Sequence, residues 1–249
     1  MPCFVPFHGR NLETSFFVFK PVGVLVEDLL HALKYFSFCA EYHGCAYSSV
    51  FQSIHGNLII WYGAWMKRST EKRELLSATL KSALVHVSSL AILLDYGFFE
   101  PYAGESKEGL QMARFSTGDT ITMNSMLPAS DDLTDLSCAC LALLKSCFLK
   151  MDGVRSGVCL RCHDRPRVAG LYVWKSLHAC YSWLLTSNFR NTISPYIGHL
   201  SVDTKYDVFR VVYVSCDEFV NLKFLPPHIL AIGGDEAAKE LDPVQSMQF

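Results

Sequence analysis

The feature that most constrains the fold is a strand–helix unit that occurs twice in the chain. In the first copy, His55–Val87, the apolar run Leu58–Trp65 is followed by a charged break and an amphipathic helix pattern. A weaker copy spans Arg165–Leu200, and there Trp174 takes the place of Trp61. Recurrence of one supersecondary pattern in a chain indicates an internal duplication.

The same order of elements is predicted around both copies: strand, helix, strand, strand, helix, strand. This order is that of a ferredoxin-like βαββαβ unit. In the first half the predicted elements are a strand at Ser15–Lys20, a helix at Leu25–Phe38, strands at Ala46–Ile54 and Asn57–Lys67, a helix capped by Ser69 or Thr70, and a strand at Leu90–Phe99. In the second half they are a strand at Asp119–Met123, a helix capped by Ser130, strands at Val154–Cys162 and Arg167–Trp174, a helix at Leu177–Leu200, and strands at Tyr206–Val214 and Phe219–Phe224.

We therefore predict an α+β protein made of two tandem ferredoxin-like pseudo-repeats packed as an internal pseudo-dimer. Two such units can pair edge to edge or pack face to face, and both arrangements hide the edges of the sheets. The predicted domains are a first half at 1–103, a polar linker at 104–117, a second half at 118–232 and a disordered acidic tail at 233–249.

The composition of the chain indicates which cellular compartment and which classes of partner to expect. Half of the residues are hydrophobic, 18% are charged and the net charge is −2, so no surface for nucleic acid is expected from the total charge. The ten cysteines lie mostly in apolar segments, and no secretion signal or glycosylation sequon is recognised. No apolar run reaches the ~20 residues that a membrane span needs. We expect a cytoplasmic or nuclear protein without a membrane partner.

The most specific motif is Cys159-Leu160-Arg161-Cys162-His163. Cys-x-x-Cys-His is the covalent haem attachment pattern, and Cys-x-x-Cys is half of a zinc site. The motif closes a predicted strand, whereas a thioredoxin-type redox pair opens a helix. Zinc needs a second pair of ligands, and none is evident. We expect no cofactor, with zinc at Cys159, Cys162 and His163 as the one metal hypothesis, beside the simpler interpretation of two partly buried cysteines and a surface histidine.

Aromatic and basic side chains suggest two further sites. The aromatic strand around Trp61 and Trp65, with Trp174 of the second copy, is a candidate ligand-binding surface. Packing of these rings under helices is the simpler interpretation, since large aromatics are usually buried, and no basic-aromatic RNA-binding motif is present. The only local concentration of positive charge contains Arg161, Arg165 and Arg167. A charge run of this kind is usually a solvated turn, but it is where an anionic partner is expected.

Four segments together resemble a family of unknown function that is specific to land plants. They are Ser15–Phe19, Ser53–Lys67, Ser116–Ile121 and Val208–Val214. The resemblance covers nearly the whole chain except the acidic tail. It implies a plant source and an intracellular protein, and it transfers no activity or site residue.

The sequence carries no nucleophile elbow, phosphate loop or paired-carboxylate motif. We therefore predict a non-catalytic regulatory or adaptor protein that binds a protein partner or a small ligand, in a groove between the halves. Two alternatives stay open. One is an enzyme whose site is assembled across both halves, and the other is a zinc-stabilised nucleic-acid-binding module. The identity of the partner and the oligomeric state are not readable from the sequence.

Overall fold

The computed structural model describes residues 2–8, 12–130, 132–186 and 197–215. Eight of its strands form one closed antiparallel barrel, in the order β10-β3-β4-β2-β5-β8-β9-β7, and two short strands, β1 and β6, pair separately. The elements in chain order are β1 (Cys3–Pro6), β2 (Leu12–Pro21), α1 (Val26–Tyr42), β3 (Cys45–Ser53), β4 (Ile59–Met66), α2 (Thr70–Ala83), a 3₁₀ helix (Leu84–Ser89), β5 (Ala91–Ser106), β6 (Met112–Phe115), β7 (Thr120–Pro128), α3 (Thr134–Cys147), a 3₁₀ helix (Phe148–Lys150), β8 (Val154–Cys162), β9 (Val168–Trp174), α4 (Leu177–Thr186) and β10 (Ser201–Val214).

Two long strands close the barrel. The N-terminal part of β5 pairs with β2 of its own half, from Ala91 to Phe99, and its C-terminal part pairs with β8 of the other half, from Phe99 to Ser106. In the same way β10 pairs with β7 up to Arg210 and with β3 from Phe209 onward. Each half therefore gives both of its edge strands to the other half, and the barrel has no free edge.

The predicted fold class, two tandem ferredoxin-like units packed as an internal pseudo-dimer, is wrong. The strands form a single continuous barrel rather than two separate sheets. The physical reason lies in β5, which runs through Pro101 to Ser106 with a shift of register between Pro101 and Ala103. Proline is normally excluded from the interior of a strand, because it cannot donate a ladder hydrogen bond. It is tolerated at a shift of register such as this one. The segment 104–117, expected as a linker, contains the end of β5 and the whole of β6.

The helices cover the outside of the barrel in two groups, one on each half. Helices α1 and α2 pack on the strands of the first half, and α3 and α4 pack on those of the second half. Helix α2 begins as predicted, since the Ser69 side chain accepts a hydrogen bond from the Lys72 amide. The predicted cap of α3 at Ser130 is wrong, because the helix begins at Thr134, whose amide donates to Asp132.

The interior of the barrel is filled from one end by the β1–β6 pair, which we call the plug. The interior cluster contains no helix residue, and it includes Val5 of β1 and Phe115 of β6. The Phe115 ring lies 5.4 Å from that of Phe51 and 5.8 Å from that of Tyr62, and the Tyr62 hydroxyl donates to the carbonyl of Phe4 at 2.6 Å. The plug therefore occupies space that eight strands alone leave open.

Some predicted features lie outside the described residues. They are residues 187–196 of the predicted helix at Leu177–Leu200, the strand at Phe219–Phe224 and the tail at 233–249. Within the described part of the chain, no helix combines the length and the hydrophobicity that a membrane span requires.

The contact between the plug and β5 gives a test of the fold. A Cβ atom added at Gly104 would overlap the ring of Phe7, which is buried. We expect Gly104→Ala to lower the free energy of unfolding by about 1–3 kcal/mol, the usual cost of overpacking. In a Phe7→Ala background the same substitution should cost much less, because the ring is gone. Urea unfolding of the four proteins, followed by tryptophan fluorescence, measures this coupling, and an equal cost in both backgrounds would contradict the packing described here.

Candidate functional site

A cavity of about 510 Å³ opens at the end of the barrel opposite the plug. On β5 it contacts residues 94–99, whereas the plug reaches Gly104 further along the same strand. Both halves of the chain line it. Its apolar walls consist of Phe16, Val18, Leu58, Ile60, Phe99, Met123, Ala169 and Phe209.

A ring of polar side chains surrounds this apolar interior. Because side chains alternate along a strand, residues two positions from an interior residue face the same side. Asp207 and Lys205 precede the interior residue Phe209 in this way, and Arg167 precedes Ala169. These side chains line the cavity together with Asp95, Asn124, Ser125 and Thr204.

Asp95 is the centre of the polar ring. Its carboxylate forms an ion pair with Arg165, whose Nη2 lies 2.9 Å away and donates to the carbonyl of Tyr96, and it also accepts from Nη1 of Arg167. The Arg165 guanidinium lies over the ring of Tyr96, 5.4 Å from its centroid. Burial lowers the pKa of Arg167, whose side chain is only 14% exposed. Its Nε–H group is buried and has no hydrogen-bond partner in the described part of the chain.

A second set of contacts ties the β3–β4 turn to β10. The Ser53 hydroxyl donates to Asp207 Oδ2 at 2.6 Å and accepts from the amide of Gly56 at 2.7 Å. His55 in the same turn contacts the hydroxyl of Tyr181 on α4. The turn that carries Leu58 to the rim of the cavity is therefore held by polar contacts on both sides.

The three tryptophans predicted as ligand-binding residues do not line this cavity. Trp61, Trp65 and Trp174 are fully buried between the outer face of the barrel and the helices that cover it. Their indole N–H groups donate to Ser37 at 2.8 Å, Ser15 at 2.9 Å and Thr122 at 3.0 Å respectively. Trp174 lines a smaller cavity of about 70 Å³ between β9 and the helices α3 and α4. This volume is far below the ~300 Å³ at the lower end of ligand pockets.

The residues of the predicted metal motif are not brought together. Cys159 packs in the cluster under α3, whereas Cys162 faces the barrel interior. Burial of His163 lowers the pKa of its imidazole, and the positive charge of Arg73 on α2 lowers it further. The reason is that residues three apart on a strand point to opposite faces. In the described residues no group of three or more His, Cys, Asp or Glu side chains is placed to hold a metal ion, so this chain's motif residues fit neither zinc nor haem.

The three arginines predicted for an anionic partner separate into two places. Arg165 and Arg167 meet at Asp95 on the rim of the cavity. Arg161 lies over the ring of Tyr102, with its guanidinium carbon 5.2 Å from the ring centroid. The sequence prediction therefore included Arg167 of the polar ring and Arg165, which pairs with Asp95 of that ring, without identifying the cavity.

Sequence reasoning missed the two carboxylates of the ring. Asp95 interrupts the apolar run Ile92–Phe99, and an acid inside a buried strand was a usable signal. Asp207 lies in a polar stretch at the start of β10, where nothing distinguishes it from a surface residue. Its position became visible only when β10 was paired with β3 and β7.

A separate buried ion pair lies on the outer wall. Arg73 Nε donates to Glu13 Oε2 at 2.8 Å, and the Glu13 side chain is 1% exposed. The other carboxylate oxygen of Glu13 and Nε2 of His163 are buried without a partner in the described residues. This pair joins α2 to β2, and neither residue lines the cavity.

Comparison with known families and proteins gives little functional information. A family described as a domain of unknown function (DUF7392) matches residues 97–209, which is less than half of the chain. Over these residues the match supports the predicted resemblance to a family of unknown function, and its extent over the rest of the chain and the plant origin stay predictions. No curated protein matches the chain.

Solved structures share the fold at low sequence identity. An anthrone oxidase-like protein matches with a TM-score of 0.70 and 14% identity, over 87% of this chain and 98% of that chain. A "putative monooxygenase" of Fusobacterium nucleatum matches with a TM-score of 0.57 and 7% identity, over 82% and 94% of the two chains. A "putative chlorite dismutase" matches with a TM-score of 0.51 and 10% identity, over 81% and 95%. At these identities the likeness establishes the fold alone.

The placement of the motif cysteines predicts their reactivity. Burial raises the pKa of Cys159 to about 12 and also raises that of Cys162, so neither thiol forms the reactive thiolate at pH 8. We expect iodoacetamide at pH 8 to alkylate the exposed Cys138 while both buried thiols react only after unfolding in urea. Peptide mass spectrometry over a time course measures the order. Rapid native labelling of either motif cysteine, or bound zinc that is lost in Cys159→Ser, would contradict this placement.

Proposed function

We propose that this protein binds a small, largely apolar molecule inside the barrel and acts on it as an enzyme. The observation that carries the proposal is the cavity of about 510 Å³, which has apolar walls and a few polar groups converging at one end. Ligand and substrate sites typically have volumes of roughly 300–1,000 Å³ and this kind of lining.

The shape of the lining favours a molecule with rings. Phe16 and Phe99 form an edge-to-face pair with ring centroids 5.4 Å apart at the cavity wall, and Phe209 lines the same space. Aromatic side chains bind flat ring systems by offset stacking or edge contacts. The polar ring then orients the molecule, because a substrate oxygen reaches hydrogen-bond donors only at that end.

The enzymatic part of the proposal follows the sequence alternative of a site assembled across both halves. It is supported by the similar structures, which include an anthrone oxidase-like protein and a "putative monooxygenase". The adaptor interpretation and the nucleic-acid module have less support, because the cavity lies inside the barrel and Arg165 and Arg167 are paired with Asp95. A protein partner and a cytoplasmic or nuclear location remain predictions from the sequence.

Filling the cavity tests the binding part. Ala169 lines it, so we expect Ala169→Phe to weaken binding of the neutral dye N-phenyl-1-naphthylamine at least about tenfold, which is roughly 1.4 kcal/mol. Fluorescence titration measures the dissociation constants. Ala46→Phe is the matched control, since Ala46 is exposed on β3 and does not line the cavity. Melting temperatures show whether both variants fold. Failure of the parent protein to bind the dye, or equal binding by folded Ala169→Phe, would contradict the proposal.

Oxygen uptake tests the catalytic part. Anthrone is a neutral three-ring ketone, and its oxidation to anthraquinone consumes one O₂ and releases one water, which balances atoms and electrons without an added reductant. We expect the parent protein to accelerate O₂ uptake with anthrone and to form anthraquinone in equal amount, and we expect Ala169→Phe to lose at least about 90% of this rate, a tenfold change. An oxygen electrode measures the O₂ consumed, and chromatography measures the anthraquinone formed. A rate equal to that of buffer would contradict this choice of substrate.

A further inference from the structure

Arg167 stands at the boundary between the polar ring and the apolar interior. It immediately precedes β9 and lines the cavity two residues before Ala169, on the same side of the strand. The side chain is mostly buried, and Phe16 and Phe99 line the same cavity. A charge in such a place interacts more strongly with a bound molecule than a charge in water does.

The charges at Asp95 do not cancel. The single carboxylate of Asp95 is shared by Arg165 and Arg167. Lys205 is largely exposed, and Asp207 is held by Ser53. At this point of the rim two guanidinium groups face one carboxylate, which leaves one positive charge in excess and attracts an anion. Lys205 does not add to this excess, because Asp203 lies 3.9 Å from it.

Arg167 also has hydrogen-bonding capacity that the described residues do not use. A guanidinium offers five N–H donors, and the contact with Asp95 uses Nη1. The Nε–H group is buried and finds no hydrogen-bond partner among the residues that the structure describes. The planar fork of a guanidinium matches two oxygens of one anionic group, and a purely apolar ligand would leave these donors unmet.

We infer that the cavity selects molecules with an anionic oxygen group at one end of an apolar skeleton, and that Arg167 binds this group. A carboxylate, a sulfonate and an enolate share the chemistry required. This inference rests on the proposed function, because it names the class of molecule that the cavity takes. The skeleton lies towards Phe16 and Phe99, and the anionic group stays at the rim beside Asp95 and Arg165.

Two dyes with the same ring system distinguish the contribution of the anionic group to binding from that of the apolar skeleton. N-phenyl-1-naphthylamine is neutral, and 8-anilino-1-naphthalenesulfonate carries one sulfonate. We expect the parent protein to bind the sulfonate at least about tenfold more tightly, and Arg167→Met to remove this advantage while changing the affinity for the neutral dye less than about twofold. Arg161→Met is the matched control, because Arg161 lies on the neighbouring strand against Tyr102 and does not line the cavity.

Two further variants separate binding from folding. Arg167→Lys keeps the charge and loses the planar fork, so its affinity for the sulfonate should fall between those of the parent and Arg167→Met. Arg167→Met combined with Asp95→Asn removes both partners of the ion pair. If this double variant melts close to the parent temperature and still lacks the preference for the sulfonate, the loss comes from binding rather than from misfolding.

The possible failures are distinguishable. If neither dye binds the parent, the proposed function is overturned and the inference falls with it. If both dyes bind and Arg167→Met weakens them equally or not at all, the inference is overturned and the proposed function stands. If Ala169→Phe abolishes binding of the neutral dye but not of the sulfonate, the sulfonate binds elsewhere, which also overturns the inference.

Discussion

The pairing of edge strands between the two halves is the constraint on which the rest of the structure depends. β5 and β10 each pair first within their own half and then with the other half. This exchange removes every free edge of the eight-stranded sheet and encloses an interior that neither half can form alone. The cavity is therefore a product of the junction, and residues of both halves line it.

The interior then divides into a filled end and an open end. The plug supplies Val5 and Phe115 to one end, where aromatic contacts with Phe51 and Tyr62 complete the core. At the other end β10 starts with polar residues and Arg167 precedes β9, and the Asp95 ion pairs take the place of apolar packing. A partly buried carboxylate between two arginines is stable because its charge is neutralised. The same pairing leaves the ring with donors for a ligand.

The three tryptophans and Cys159 pack in the outer layers and do not line the main cavity. Trp61, Trp65 and Trp174 fill the space between sheet and helices, and each indole N–H group has a hydrogen-bond acceptor there. Cys159 packs beneath α3 as a small hydrophobic side chain. The two most conspicuous motifs of the sequence are thus explained by packing, and the site that the structure offers is built from residues that no local motif marks.

The sequence by itself determined most of the local elements. A hydrophobic period of two or 3.6 residues and the helix cap at Ser69 are properties of residues that are neighbours in the chain. It also located Arg165 and Arg167 as a basic turn. Only the tertiary structure decided that the strands form one barrel, that the plug enters it, and that Asp95 meets Arg165 and Arg167 at its mouth. The physical reason is that alternation along a strand separates two faces without showing which is inside, and the partner of an edge strand is set by residues distant in the chain.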